Sequence, residues 1–269
     1  MSGGEQKSLI KLVIPPILEE ILKKLARYFN LKKEQLEYIP EGWDYLRKVK
    51  GWNVSSVLQS YISHWDEFVE TIKSKRPIGT DLVGHNTFIT FSYVLLFASR
   101  GKKRIRMLDW GGGIGHYYIL SKTIIPDVRI DYVCKDVPVL CEYGRKLFPE
   151  AKFYDNDDYL NHTYDFSLVS GSLQYAIDWK KTLSDIKKVT DGYIFVTRLP
   201  VVQKSRPFLV LQRAYDTEFL GWVFNREEFI EYAKEISLEL VREFLISDKV
   251  YVYRAPEPFD NRGFLFSTM

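Results

Sequence analysis

An apolar run, Ile105-Arg106-Met107-Leu108, leads straight into Asp109-Trp110-Gly111-Gly112-Gly113-Ile114-Gly115, and the residues after it have helical periodicity. A strand that ends in a glycine-rich turn and continues as a helix narrows the fold sharply. Glycine takes backbone conformations closed to other residues and lets a ligand approach the main chain. In open parallel sheets, ligands bind at the carboxyl ends of the strands. Downstream, short apolar runs at 105–108, 130–134, 151–154, 166–170 and 193–197 alternate with helical stretches near 116–124, 138–148, 172–188 and 226–236. This alternation predicts an α/β domain with a mostly parallel sheet covered on both faces. Two last strands, 238–246 and 263–268, are expected to form an antiparallel hairpin at the sheet edge.

The loop has the pattern D-x-G-x-G-x-G. A dinucleotide fingerprint, G-x-G-x-x-G, would need glycine at 116 or 118, where His116 and Tyr118 stand. A phosphate-binding P-loop would need a following Gly-Lys-Ser/Thr, which is missing. A carboxylate just ahead of the glycines suits a cationic ammonium group better than a pyrophosphate.

On these residues the segment 105–136 resembles the motif region of class I S-adenosylmethionine-dependent methyltransferases. The resemblance implies a Rossmann-like sheet with an antiparallel terminal strand, and S-adenosyl-L-methionine as cofactor. It implies that Asp109, Gly111, Gly113 and Gly115 hold the methionine part. Asp136, 21 residues beyond Gly115, would accept hydrogen bonds from both ribose hydroxyls, as a vicinal diol requires. Val137 would lie against adenine. Among the polar residues 155–158, Asn156 is the candidate near adenine. Ser170 opens a second ligand-facing loop, Ser170-Gly171-Ser172-Leu173-Gln174-Tyr175. A narrower resemblance spans residues 5–269. It rests on Gly-Gly-Ile-Gly-His-Tyr-Tyr at 112–118, the 170–175 loop, and Thr197-Arg198-Leu199-Pro200 followed by Gln212. These are similar to methyltransferase-like proteins often encoded among bacterial surface-polysaccharide genes, which implies a glycan acceptor.

Methyl transfer is an in-line displacement, so positioning supplies much of the rate. A general base is needed only where the acceptor is a poor nucleophile. The catalytic candidates are His116, His85 and Arg198. His116 follows the glycine loop at a helix N-terminus, where an imidazole is held neutral; it serves as a base or orients the cofactor. His85 begins the helix ahead of the first strand. Arg198 ends a buried strand and needs a partner. The insertion 199–224, with Gln203, Lys204, Arg206, Gln212 and Arg213, is expected to shape an acceptor pocket for an anionic or polyhydroxyl ligand.

Residues 1–100 read as a helical extension ahead of a catalytic domain over 101–269. Within the extension, 55–75 forms one amphipathic helix capped by Ser55 or Ser56, and 86–99 another; these are expected to cover the substrate. Residues 7–28 have an apolar face with lysine and arginine flanks, which either packs on the catalytic domain or contacts a membrane surface. A net charge of +3 on 269 residues argues against a nucleic-acid partner. So does Ser-Gly-Ser-Leu where a base-methylating enzyme would have Asn/Asp-Pro-Pro-Tyr/Phe. Only two cysteines occur, with no C-x-x-C and no clustered metal ligands, so a cytoplasmic setting and no metal are expected. The function expected is methylation of an oxygen on a glycan, a glycan-linked phosphate or another small polar acceptor. The alternatives are an RNA- or DNA-base methyltransferase and a non-catalytic cofactor-binding or membrane-associated scaffold.

Overall fold

The computed structural model describes residues 36–74 and 81–268. The basic, apolar segment 7–28 lies outside them. The chain opens with strand β1 (Leu36–Ile39) and a 3-10 turn (Gly42–Lys48), then helices α1 (Ser55–Ser63), α2 (Trp65–Lys73) and α3 (Leu82–Ala98). The alternating region follows as β2 (Arg104–Trp110), α4 (His116–Ile124), β3 (Arg129–Lys135), α5 (Pro138–Leu147), β4 (Lys152–Tyr154), β5 (Tyr164–Ser170), α6 (Trp179–Lys188) and β6 (Thr190–Val202). The chain ends with β7 (Phe208–Ala214), β8 (Thr217–Asn225), α7 (Arg226–Glu235), β9 (Glu239–Val250) and β10 (Phe259–Ser267).

The main sheet runs β4-β3-β2-β5-β6-β10-β9. The first five of these strands are parallel, whereas β10 is antiparallel to both β6 and β9. The expected terminal hairpin is present, with β10 inserted between β6 and β9. Chain order reverses between β2 and β5, which places a crevice at the carboxyl ends of those strands. Each face carries its own core. Phe91, Leu95, Tyr117, Leu120, Phe166 and Phe195 fill one beneath α3 and α4. Leu183, Ile186, Phe229 and Phe264 fill the other beneath α6 and α7. Burying each such side chain contributes roughly 2–3 kcal/mol.

Several expectations are corrected here. The N-terminal part is not purely helical, because β1 adds to the edge of β7 in antiparallel register, Leu36 opposite Gln212 and Ile39 opposite Leu209. Four residues are too short to show an alternating pattern. Residues 199–224 are mostly strand rather than loop. β7 and β8 form a hairpin that pairs with the main sheet through Val201–Phe224 and Val202–Asn225. The helix expected over 55–75 breaks at His64, whose Nδ1 donates to the Ser60 carbonyl at 2.8 Å. Val54 occupies the α1 cap position without a side-chain hydrogen bond. Asp81 starts α3 earlier than expected by accepting from the Gly84 amide at 2.7 Å. The stretch 172–188 splits into a 3-10 turn (Leu173–Tyr175) and α6, which Asp178 caps through the Lys181 amide. Among the described residues no helix is long and apolar enough to cross a membrane.

Candidate functional site

A cavity of about 640 Å³ opens at the carboxyl ends of β2, β3, β5 and β6, with β7 and β8 as its far wall. Its volume lies within the roughly 300–1,000 Å³ usual for small-ligand sites. Trp52 and Tyr61, from the segment ahead of the sheet, also line it.

The glycine turn is built as the sequence requires. Gly111, Gly113 and Gly115 all have positive φ, at 76°, 63° and 104°. The loop is also tightly covered. A Cβ on Gly111 would lie 2.2 Å from the Ser172 Cβ, and one on Gly113 would lie 2.8 Å from the Tyr61 ring. Ser172 Oγ donates to the Trp110 carbonyl at 2.7 Å, tying the two ligand-facing loops together.

Asp136 directly follows β3 and faces the cavity. Its Oδ2 accepts from the Gly113 amide and its Oδ1 from the Val137 amide, both at 2.7 Å. Each oxygen keeps acceptor capacity for one more donor. Burial raises this carboxyl above its ordinary value, against the two backbone hydrogen bonds. Val137 and Leu140 form an apolar wall beside it. A carboxylate with spare acceptor sites, a glycine turn and an apolar wall are the set a nucleoside needs. S-adenosyl-L-methionine therefore fits the residues present.

Asp109 behaves differently. It is fully buried and does not line the cavity. Its Oδ2 accepts from the Tyr132 hydroxyl at 2.5 Å, while Oδ1 has no hydrogen-bond partner. Desolvation pushes its pKa up to about 7, opposed by the Tyr132 hydrogen bond and assisted by the Asp136 charge. Gly112 sits directly above, where a Cβ would lie 2.4 Å from the Asp109 Cγ. Asp109 thus supports the turn from beneath.

No protein-family model and no curated protein matches the chain. Solved structures do match. A protein described as a sarcosine dimethylglycine methyltransferase from Galdieria sulphuraria is 13% identical, with 78% of this chain and 97% of that chain covered and a TM-score of 0.52. The N-terminal domain of EvdMO1, crystallised in the presence of SAH and D-fucose, is 10% identical over 76% of this chain and 96% of that chain, with a TM-score of 0.50. The strand order and both superpositions agree. The chain has the class I methyltransferase fold. A further match, to an S-adenosylmethionine-dependent methyltransferase from Clostridium acetobutylicum, is 13% identical over 77% of this chain and 98% of that chain, with a TM-score of 0.49.

Within this methyltransferase fold, the cavity gathers some of the expected residues and excludes others. Gly111, Asp136, Val137, Ser170 and Arg198 line it. Gly113 and Gly115 lie under the Tyr61 and Phe148 rings. Asn156 does not line it; it caps the 3-10 turn at Asp157–Asn161 by accepting from the Asp158 amide. Asp155, one residue earlier, lines the cavity instead and pairs with Arg145 at 3.0 Å. Ser170 Oγ shares a 2.6 Å hydrogen bond with the Tyr117 hydroxyl.

The two candidate histidines are both away from the cavity. His116 is enclosed by Tyr61, Trp65 and Phe68, with ring centroids 5.4, 4.9 and 4.7 Å away. Burial lowers its pKa to about 4, so it is neutral as expected, but it packs against rings instead of meeting a ligand. His85 is exposed in the first turn of α3 and is not a lining residue.

Sequence reasoning missed the aromatic wall. Trp52 stacks on Phe219 at 3.8 Å between centroids and meets Tyr175 edge-on at 4.8 Å. The Tyr175 hydroxyl donates to Gln212 Oε1 at 2.6 Å. Trp43, Trp52 and Trp65 read as one small core in the sequence; Trp52 and Trp65 share one apolar cluster, and Trp43 lies in another against β7 and β8. Only the hairpin, whose position pattern alone does not give, brings Trp52 to the cavity.

Proposed function

We propose that this chain is an S-adenosyl-L-methionine-dependent methyltransferase acting on an oxygen of a glycan, a glycan-linked phosphate or another small polar acceptor. The observation that carries the reading is Asp136. Its two oxygens are fixed by the Gly113 and Val137 amides at the mouth of a glycine turn, with acceptor capacity left over. The bound cofactor supplies a methyl group activated on a sulfonium sulfur. The chain's own residues orient and enclose. Asp136 holds hydroxyls, Val137 and Leu140 receive an apolar ring, and Trp52, Tyr61 and Tyr175 keep water from the reacting atoms. Among the described residues no histidine lines the cavity. The acceptor oxygen is therefore one that needs no imidazole base, such as a phosphate or carboxylate oxygen or a hydroxyl held by tyrosine and glutamine side chains.

Calorimetry with S-adenosylmethionine and S-adenosylhomocysteine tests the cofactor half of the reading. Wild-type protein is expected to bind both. Asp136→Ala should bind about 10–100-fold more weakly, since hydrogen bonds to a charged group contribute roughly 1.5–3 kcal/mol. Absence of binding by the wild type refutes the reading. The proposal extends to a cytoplasmic enzyme touching the inner membrane face through residues 7–28. Flotation with anionic liposomes, comparing wild type with a Lys7, Lys11, Lys23, Lys24→Glu variant, checks that part; equal flotation removes it.

A further inference from the structure

Arg198 occupies a conformation that the fold specifically provides for it. On β10, Arg262 pairs with Leu199 and Phe264 with Val196, so Thr197 and Arg198 together oppose the single residue Gly263. This is a bulge, a device that re-aims a side chain and recurs beside functional sites. Arg198 is the bulged residue, with φ of 55°. A left-handed backbone is unusual for a residue with a side chain, and such strain gathers at ligand sites. The guanidinium crosses Gly171, where a Cβ would lie 3.4 Å from both Nε and Cζ, and it lines the cavity.

Its charge is unanswered. Among the described residues, the Arg198 guanidinium makes no hydrogen bond or ion pair. The ionisable groups that feel its charge are the hydroxyls of Tyr61, Tyr117 and Tyr175. The other cations at the cavity differ. Arg213 is bound to Glu37 at 2.7 Å and Glu218 at 2.9 Å. Lys135 lies in the field of Asp136 and Asp155. Arg198 itself is exposed, whereas two polar atoms of nearby lining residues, the Trp52 Nε1 donor and the Gln174 Oε1 acceptor, are buried without partners.

Resting on the methyltransferase reading, we propose that Arg198 anchors an anionic group of the acceptor, a carboxylate or phosphate carried on a hydroxyl-bearing body. The anion takes the guanidinium fork, and the body's hydroxyls lie in the cavity beyond it. Arg198 stands on β6, separated by β5 from the strands that carry Gly111 and Asp136. This assigns it to the acceptor side of the cavity.

The test measures binding of inorganic phosphate, glucuronate, glucose 6-phosphate and glucose to full-length protein, with and without saturating S-adenosylhomocysteine. The variants are Arg198→Gln and Arg198→Lys. At least one anionic probe is expected to bind the wild type, and glucose more weakly by tenfold or more. Arg198→Gln should weaken that binding at least tenfold while holding S-adenosylhomocysteine within about threefold of wild type. Arg198→Lys should restore phosphate-bearing probes more than glucuronate, because a point charge does not replace the planar fork. Preference for glucuronate or for glucose 6-phosphate tells carboxylate from phosphate. Three results overturn the proposal: no anion binds the wild type, Arg198→Gln binds anions equally well, or Arg198→Gln loses S-adenosylhomocysteine tenfold, which would place Arg198 at the cofactor. Failure of the wild type to bind S-adenosylhomocysteine strikes the methyltransferase reading instead, and the anion measurements without it still report on Arg198.

Discussion

Replacing Asp109 by asparagine keeps the side chain's shape and the acceptor for the Tyr132 hydroxyl while removing an ionisable group from a site with no exposure. The carboxyl's pKa stands at about 7 in the folded protein against an ordinary 3.8, chiefly through desolvation. Folding therefore takes up a proton at intermediate pH. The contribution to stability is fully present below pH 3.8, falls as pH rises through about 7, and is constant above that. The full difference amounts to about 4 kcal/mol at 1.36 kcal/mol per pH unit. His116 acts in the opposite direction over an overlapping range. Its pKa falls from 6.5 to about 4, so its contribution is present above pH 6.5 and lost as pH drops toward 4. The wild-type curve alone hides both effects, and the difference between wild type and Asp109→Asn isolates Asp109. Urea unfolding at pH 5 and pH 8 should show the variant gaining about 2–3 kcal/mol relative to wild type between those values, most of the linkage falling there. The fixed cost of an unpartnered amide cancels in this comparison. Parallel stability curves for the two proteins would refute the account of a buried, reluctantly ionised Asp109.

Other perturbations have equally definite outcomes. His116→Phe should flatten the loss of stability between pH 6.5 and 4, worth about 3 kcal/mol in wild type, and leave methyl transfer intact; loss of transfer with the fold preserved would return His116 to the chemistry. Gly113→Ala places a Cβ 2.8 Å from the Tyr61 ring at a φ of 63°. The backbone alone costs about 1–2 kcal/mol, so melting temperature and S-adenosylhomocysteine affinity should fall together. Tyr175→Phe removes the 2.6 Å hydrogen bond to Gln212 and is expected to raise the acceptor KM several-fold with cofactor affinity unchanged, measured by steady-state kinetics and calorimetry. Phe91→Ala empties a fully buried position and should cost about 3–5 kcal/mol in chemical denaturation.

The strand–helix alternation and the turn were legible because each strand is local and the glycines leave a distinctive mark. Asp136 was implied by the resemblance, which places an acidic residue at the end of the strand after the glycine turn. The direction of Asp109 is also implicit in the strand period. Ile105, Met107 and Asp109 share one face of β2, and the first two lie in the core that contains Tyr132 and Cys134. Asp109 joins that face, beneath the loop, despite the expectation that it would meet the ligand. Tertiary placement was not legible. Tyr61 sits in an apolar helical stripe that reads as core, and it does cover the Gly113 backbone, but it also reaches the cavity. The strand character of Phe208–Ala214 was hidden because its first four residues are all buried, so no alternation appears. Asn156 and Asp155 are adjacent polar residues, and only the 3-10 turn decides which of them faces the cavity.

The cover that Tyr61 provides has a kinetic consequence. α1 buries one residue completely, Val57, and α2 buries none. Both helices pack instead through partly buried rings, Tyr61, Trp65 and Phe68 closing on His116. The Tyr61 ring lies over Gly113, so amide exchange across α1 is expected to slow when S-adenosylhomocysteine binds, and unchanged exchange would refute a covering role for α1.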